Sequence, residues 1–484
     1  MQEKKPKFLQ ILLSLDSNQI SELKKYLVAY DFFGHPKTLS SYLKILLKAK
    51  NPTTYFSDSN AQKKLIKQLK IADSTIKNLN TSFYKSILNF LAFYQLKKDN
   101  QQKKILTIEA LNNTNYAYFK SETIALINEI KSSETNLEVR DYLRLHQLEN
   151  KLWFHPKTNH FKADAALFED SLIHLNNALE LSTLYYACLI NNRTSIFSDN
   201  SKRLLNEAFL NTIKKKDFDS ENPLFGIFQQ ILMLQEKHDI KEFQQLTDLI
   251  QSQYASINQD TFLNLNLFMI SYGNKLVKNG NYQLNAQLLK IYQYLLDKKL
   301  LPVDNHFRDN EFIGIYLLGC YNQQFEWLDQ FVANYQQFLE QDAVQEIINY
   351  LLAYKYFYQK DYQKIKTYLD SFKPDNRVFY YFRIKGLYIR YLYETWQPPH
   401  SETLFELEDY CKKFENGFKN KSMKIIAPST KKSCLNFIKM LKRLIRFRKN
   451  LSASPKRLES IKTSLVNTDN ILYKPWLIQK VKEL

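Results

Sequence analysis

Apolar residues return at intervals of three and four along almost the whole of this chain, which is the spacing of one face of an α-helix. "NQISELKKYLVAY" places Ile20, Leu23 and Leu27 on one face, and "FYKSILNFLAFYQL", "YLRLHQLENKLWF" and "SLIHLNNALELSTLYYACLI" repeat the pattern. No stretch alternates with period two for long enough to read as a strand. Glycine usage agrees. The chain has 8 glycines in 484 residues, where average usage would give roughly 34. Tight hairpins and phosphate loops consume glycine. Its shortage points to an all-α chain and away from nucleotide-binding α/β folds. Hydrophobic residues make up 44% of the chain and aromatic residues 14%, so it can build a large core.

Breakers divide the helical runs. Pro52, Pro156, Pro223, Pro302, Pro428 and Pro455 fall at expected helix ends. They suggest three regions: an N-terminal helical region over 1–222, an array of helical hairpins over 223–415, and a basic C-terminal helical cap over 416–484. Within the array, Gly273 stands nine residues before Tyr282, with a turn at Gly280-Asn281. Ala353 stands nine before Tyr362, with a turn at Lys360-Asp361. A small residue in the first helix admits the second helix closely, and the aromatic at the turn plugs the junction. This arrangement resembles the tetratricopeptide (TPR) family. The related aromatics Tyr282, Phe325 and Tyr362 recur at 43 and 37 residues, against about 34 in regular repeats. The resemblance implies a right-handed α-solenoid with one long concave face. The opening "FLQILLSLDSNQISELKKYLVAYDFF" and the closing "NILYKPWLIQKVKEL" resemble the two ends of large, uncharacterised bacterial helical-repeat proteins, which implies a helix pair ahead of a TPR-like array and no particular activity.

Charge is concentrated. The formal net charge is +19, and the segment from Lys419 to Arg457 holds thirteen Lys or Arg with no Asp or Glu. Within it "KKSCLNFIKMLKRLIRFRKN" reads as one amphipathic helix. Cys434, Leu435, Ile438, Leu441, Leu444 and Ile445 are its expected apolar face. Lys432, Lys439, Lys442, Arg443, Arg446, Arg448 and Lys449 are the candidate anion- or partner-binding residues. Such a face suits an acidic protein, nucleic-acid phosphates or an anionic membrane surface. The ring-rich run "RVFYYFRIKGLYIRYLYETW" interleaves Arg377, Arg383, Lys385 and Arg390 with aromatics, a pattern that also suits base stacking. Phe379, Phe382, Leu387 and Tyr391 fall near helical spacing, however, and read as core.

No signature of catalysis appears: neither a metalloprotease helix, a nucleophile elbow, a kinase set nor a dinucleotide fingerprint. No catalytic, cofactor-binding or metal residue is expected. His155, His160 and Asp164 are close in sequence, but a five-residue step across Pro156 does not place ligands on one helical face. The four cysteines stand far apart without a CxxC pair, the usage of a reducing compartment. No apolar run approaches the ~20 residues of a membrane span. Lys4, Lys5 and Lys7 before "FLQILLSL" imitate a secretory signal, but Gln10 and Asp16 favour an amphipathic first helix. The expectation is therefore a cytoplasmic, non-enzymatic scaffold that binds a protein or peptide, with a nucleic-acid-binding protein using 419–457 as the alternative.

Overall fold

A computed structural model describes residues 6–29, 36–158, 165–196, 206–218, 222–237, 239–278, 280–340, 344–370, 378–397, 401–418, 428–449 and 455–484. The fold is all-α. Among the described residues there are 24 α-helices and no strand, and extended pairing is confined to an isolated bridge between Val303 and His306. Several helices start where a short polar side chain accepts from the exposed N–H groups of the first turn. Asp58 accepts from Asn60 N, Asp99 from Gln102 N, Asn115 from Tyr118 N, and Asp239 from Lys241 N and Glu242 N. Each such cap is worth about 1 kcal/mol. Other helices begin on the expected prolines, as Pro223–Lys237, Pro428–Lys449 and Pro455–Asn467 do.

The chain divides into two compact units. The first comprises Met1–Ser132 and Gln147–Ser171, the second Ser133–His146 and Leu172–Leu484. The helices Val139–Trp153 and Ala166–Ile196 contribute residues to both. The expected region boundaries at 222/223 and 415/416 both fall inside the second unit, where one core runs from Tyr142 to Val481.

In the first unit, the helix Lys7–Ser14 buries Phe8, Leu9 and Leu12 and exposes Leu13. This is the amphipathic first helix of the sequence reading. Phe8 meets Phe83 edge-on at 5.4 Å, and Tyr26 meets Phe90 at 5.7 Å. Tyr42, fully buried, donates its hydroxyl to Asn80 Oδ1 at 2.7 Å, so its polar end is satisfied inside the core.

The second unit contains successive antiparallel helix pairs. They are Pro223–Lys237 with Ile240–Ser252, Gln259–Lys278 with Leu284–Asp297, and Asp309–Tyr321 with Phe325–Tyr335. Val344–Tyr358 with Tyr362–Asp370 and Val378–Thr395 with Ser401–Gly417 complete the series. First helices of neighbouring pairs also touch at three steps: Pro223–Lys237 with Gln259–Lys278, Asp309–Tyr321 with Val344–Tyr358, and Val344–Tyr358 with Val378–Thr395. Positive φ angles at Gly280 (109°), Gln323 (57°) and Lys360 (61°) turn the chain between paired helices. Helical spacing places Ile347, Leu351, Tyr354 and Tyr358 on one stripe and Tyr362, Ile365, Leu369 and Phe372 on the facing one; Ile347, Leu351, Tyr354, Ile365 and Leu369 are buried, and Tyr358 and Tyr362 are half-buried. Phe372 lies outside the described residues.

Close packing depends on two glycines. A Cβ on Gly273 would stand 2.6 Å from Leu288 Cδ2, and one on Gly319 would stand 2.5 Å from Leu328 Cδ2. Both distances lie inside van der Waals contact, so the second helix of each pair leans directly on the backbone of the first. Phe325 and Tyr362 pack partly buried against the core where their helices begin. The side chains of Phe379 and Phe382 lie outside the described residues, and Leu387 is fully buried.

One acid in this unit is poorly housed. Glu138 is half-buried, and its Oε1 has no hydrogen-bond partner. Burial raises its carboxyl above the ordinary range against the lowering effect of the Thr261 hydroxyl, with Asp141 and Asp260 adding to the rise. A raised folded-state value means that the folded chain holds this proton more tightly than the unfolded one. The group's contribution is then greatest below the unfolded carboxylate range and is lost as pH rises through the folded value. Glu138→Gln should therefore be more stable than the wild type at pH 7, with the gap closing below about pH 4. Denaturant midpoints across pH measure this; a gap independent of pH would rule out the titration.

Candidate functional site

The helix Pro428–Lys449 carries the candidate residues. Its buried side consists of Cys434, Phe437, Ile438, Met440, Leu441, Leu444 and Ile445. Leu435, expected on that side, is 37% exposed. At 100° per residue it falls with Lys432 and Lys439 on the outer face, while Phe437 and Met440 close the inner one. Arg446, Arg448 and Lys449 fall in the last turn, where cations complement the helix dipole. This helix packs against Ser401–Gly417, Pro455–Asn467 and Lys474–Lys482. Lys419, Lys421 and Lys424 lie outside the described residues.

Four of the seven candidate cations are engaged within the chain. Lys442 pairs with Glu415 at 2.7 Å and Lys449 with Glu408 at 2.8 Å. Arg443 donates to Ser460 Oγ at 3.2 Å. Arg448 belongs to the inner side. It donates to the Tyr393 carbonyl at 2.9 Å and stacks over the Tyr393 and Trp396 rings at 5.1 and 5.0 Å. The remaining three, Lys432, Lys439 and Arg446, are exposed and have no ion pair or hydrogen bond to any described residue. They stand seven residues apart.

A second cationic centre surrounds Arg390. This residue, which the sequence shows only as one of the cations interleaved with aromatics, is 1% exposed. Its guanidinium lies over Tyr473 at 3.8 Å, Phe357 at 4.6 Å and Tyr354 at 5.2 Å. Nη2 donates to the Tyr354 hydroxyl at 2.9 Å, and that hydroxyl meets the Tyr473 hydroxyl at 3.2 Å. No described carboxylate pairs with Arg390, and its Nε has no acceptor. Burial works against the charge, but the tyrosine oxygens around it leave the guanidinium firmly protonated. Burial also pushes the Tyr350, Tyr358 and Tyr473 hydroxyls well up, so the cage is a set of neutral rings around one cation. Cation–ring contacts of this desolvated kind are worth about 2 kcal/mol each before the cost of taking the cation out of water is set against them.

Tyr473 reaches the cage because its backbone is left-handed, with φ 55°, at the start of the helix Lys474–Lys482. Its ring lies directly on Gly386, where a Cβ would stand 2.8 Å away. The helix is then fastened to Val378–Thr395 by Glu394, which accepts from Trp476 Nε1 at 2.6 Å and from Lys480 Nζ at 2.8 Å. The closing segment "NILYKPWLIQKVKEL" thus supplies a clasp. Nothing in local periodicity announces this, although Arg390 standing in an otherwise apolar stripe was the available signal.

The other chemistry-bearing residues are packed away. Cys188, Cys320, Cys411 and Cys434 are buried free thiols. Burial raises all four, Cys411 and Cys434 to about 12, which leaves them unreactive at neutral pH. His155 stacks on Tyr116 at 4.5 Å and accepts at Nδ1 from Lys157 N at 3.1 Å. His160 and Asp164 lie outside the described residues, and no group of three or more metal-binding side chains occurs among the described ones. No helix in the described residues is long and apolar enough to cross a membrane. Lys278, which keeps solvent access, is held below the usual lysine range by the protein packed about it and by the Arg383 guanidinium. Comparison with protein-family models, with curated proteins and with solved structures finds no match to this chain.

Proposed function

We propose that the chain is a non-catalytic interaction scaffold whose hairpins form a TPR-like, right-handed α-solenoid that binds a protein or peptide. The carrying observation is the series of antiparallel helix pairs from Pro223 to Gly417, in which neighbouring pairs touch. An array built this way has a long continuous face, and its stability comes from contacts between neighbours rather than from a closed shell. The groups best suited to catalysis are committed to packing: four buried thiols, a stacked histidine and a caged arginine. The unbridged thiols support a reducing, cytoplasmic setting.

Affinity purification with mass spectrometry, run with and without nuclease, tests this reading. A discrete protein should co-purify in both samples. Recovery only of nuclease-sensitive material would favour the nucleic-acid alternative. That alternative predicts heparin retention that falls steeply with salt above ~50 mM. It also predicts that retention is lost when Lys442, Arg443, Arg446 and Arg448 are reversed in charge. Because Lys442, Arg443 and Arg448 already have internal partners, we expect such reversal to lower stability while leaving the partner protein bound. Thermal melts of the variant separate the two effects.

A further inference from the structure

We infer that the outer face of the helix Pro428–Lys449 docks an acidic helix of a partner protein along the line Lys432, Lys439 and Arg446. The inference rests on the scaffold reading and names the chemistry of the partner.

The steps from Lys432 to Leu435, Lys439 and Arg446 are three, four and seven residues, so these side chains share one strip of a straight helix. Seven residues advance the helix by about 10.5 Å. The free cations therefore form a ladder about 21 Å long, with the exposed part of Leu435 between the first two rungs. A second helix with carboxylates seven residues apart has the same pitch. Laid alongside, it brings one Glu or Asp to each rung and one apolar side chain to Leu435. This is the arrangement by which flanking charges select partners in paired helices.

The width of the strip argues for a helix over a polyanion. On one flank Lys442 and Lys449 are already neutralised by Glu415 and Glu408, and on the other Arg443 is turned to Ser460. Phosphates spread across this surface would approach two carboxylates that have no cation to spare. A single acidic helix is narrow enough to use the free column alone. An apolar residue at the centre of the strip adds nothing for a phosphate backbone and contributes contact area for a helix.

The test uses the full chain and a synthetic helix-forming peptide of about 21 residues carrying glutamates every seventh residue and a leucine between the first two. The comparison probes are a scrambled peptide of the same composition, an oligothymidine of about 20 nucleotides, and vesicles containing phosphatidylserine. Binding is followed by fluorescence anisotropy, and by co-sedimentation for the vesicles, at ~150 mM salt. The heptad peptide should bind more tightly than the scrambled one. Lys432→Glu/Lys439→Glu/Arg446→Glu should weaken it by at least about tenfold. The control Lys63→Glu/Lys64→Glu/Lys67→Glu changes net charge equally in the other unit and should leave binding unchanged. Circular dichroism melts confirm that both variants fold. Equal binding of the two peptides, equal loss in the control, or tighter binding of oligothymidine or vesicles through the same three cations overturns the inference. A co-purifying protein that survives the triple reversal would sink this docking face and leave the scaffold reading standing. Loss of every protein partner from the unaltered chain would sink the scaffold reading itself.

Discussion

Tyr473→Ala should destabilise the second unit by about 3–5 kcal/mol, the range for deleting a buried aromatic. Arg390→Met should cost far less. The two residues touch, so the difference comes from what each deletion leaves behind. Removing the ring uncovers a buried guanidinium that has no carboxylate partner and opens the space over Gly386. Removing the guanidinium leaves rings around a flexible apolar chain of similar length, and the cost of keeping a cation out of water disappears with it. Replacing buried charges by apolar groups of matched volume is often neutral or stabilising for this reason. The double substitution should consequently cost less than the sum of the two. Denaturant unfolding of the wild type, the single variants and the double variant completes the cycle. If Arg390→Met loses as much as Tyr473→Ala, the cation contributes net stability and the account given for the cage is wrong. Tyr354→Phe offers a finer test. It keeps the ring and removes the acceptor of Arg390 Nη2, which should cost about 1–3 kcal/mol.

The second large effect concerns the helix pairs. Gly319→Val should destabilise by about 1–3 kcal/mol or more, because a Cβ there collides with both Cδ2 and Cγ of Leu328. Cγ is not a free end, so the paired helix itself has to move. Gly314 lies five residues earlier in the same helix, and a Cβ there meets nothing within 4 Å. Gly314→Ala should therefore stabilise by about 0.5–1 kcal/mol, the gain from replacing glycine in a helix interior. Opposite signs for two substitutions in one helix are the expected result, read from thermal or denaturant midpoints. Destabilisation by both would show that flexibility of this helix matters and that close packing at Gly319 is not the reason.

What could be read from the sequence is what local spacing encodes. The stripe Ile347, Leu351, Tyr354 and its partner Ile365, Leu369 are adjacent along their helices, and burial of one predicts burial of the next. Gly273 was legible for the same reason: a turn at Gly280 fixes which residue of the following helix returns to it. Gly319 makes the same contact six residues before its aromatic, not nine, and was missed. The cage was out of reach because Arg390 meets a ring supplied by a distant segment, and an arginine on an aromatic helix usually extends to water. The basic segment misled in a different way. Counting charges along 419–457 finds no acids, yet Glu408 and Glu415 approach from the neighbouring helix and neutralise two of its lysines. Charge read along the chain overstates charge read across the surface. Leu435 shows the converse error, since its apolar character was taken for an inward position that the helical angle does not give it.

The cage also bears on how the protein is made. The Tyr354 and Tyr473 hydroxyls that meet beside Arg390 are 119 residues apart in the chain. At ordinary synthesis speeds of about 5–20 residues per second, roughly 6–24 s pass between the appearance of the two. In the later part of that interval, once residue 417 has been added, the helix pairs from Val344 to Gly417 exist as nascent chain with a guanidinium facing an unfilled position over Gly386. A ribosome paused before residue 473 therefore displays a specific unfinished surface, rich in tyrosine and bearing one unshielded cation. Such a surface is the kind of exposed aromatic patch on which chaperones act, and its disappearance marks completion of the second unit.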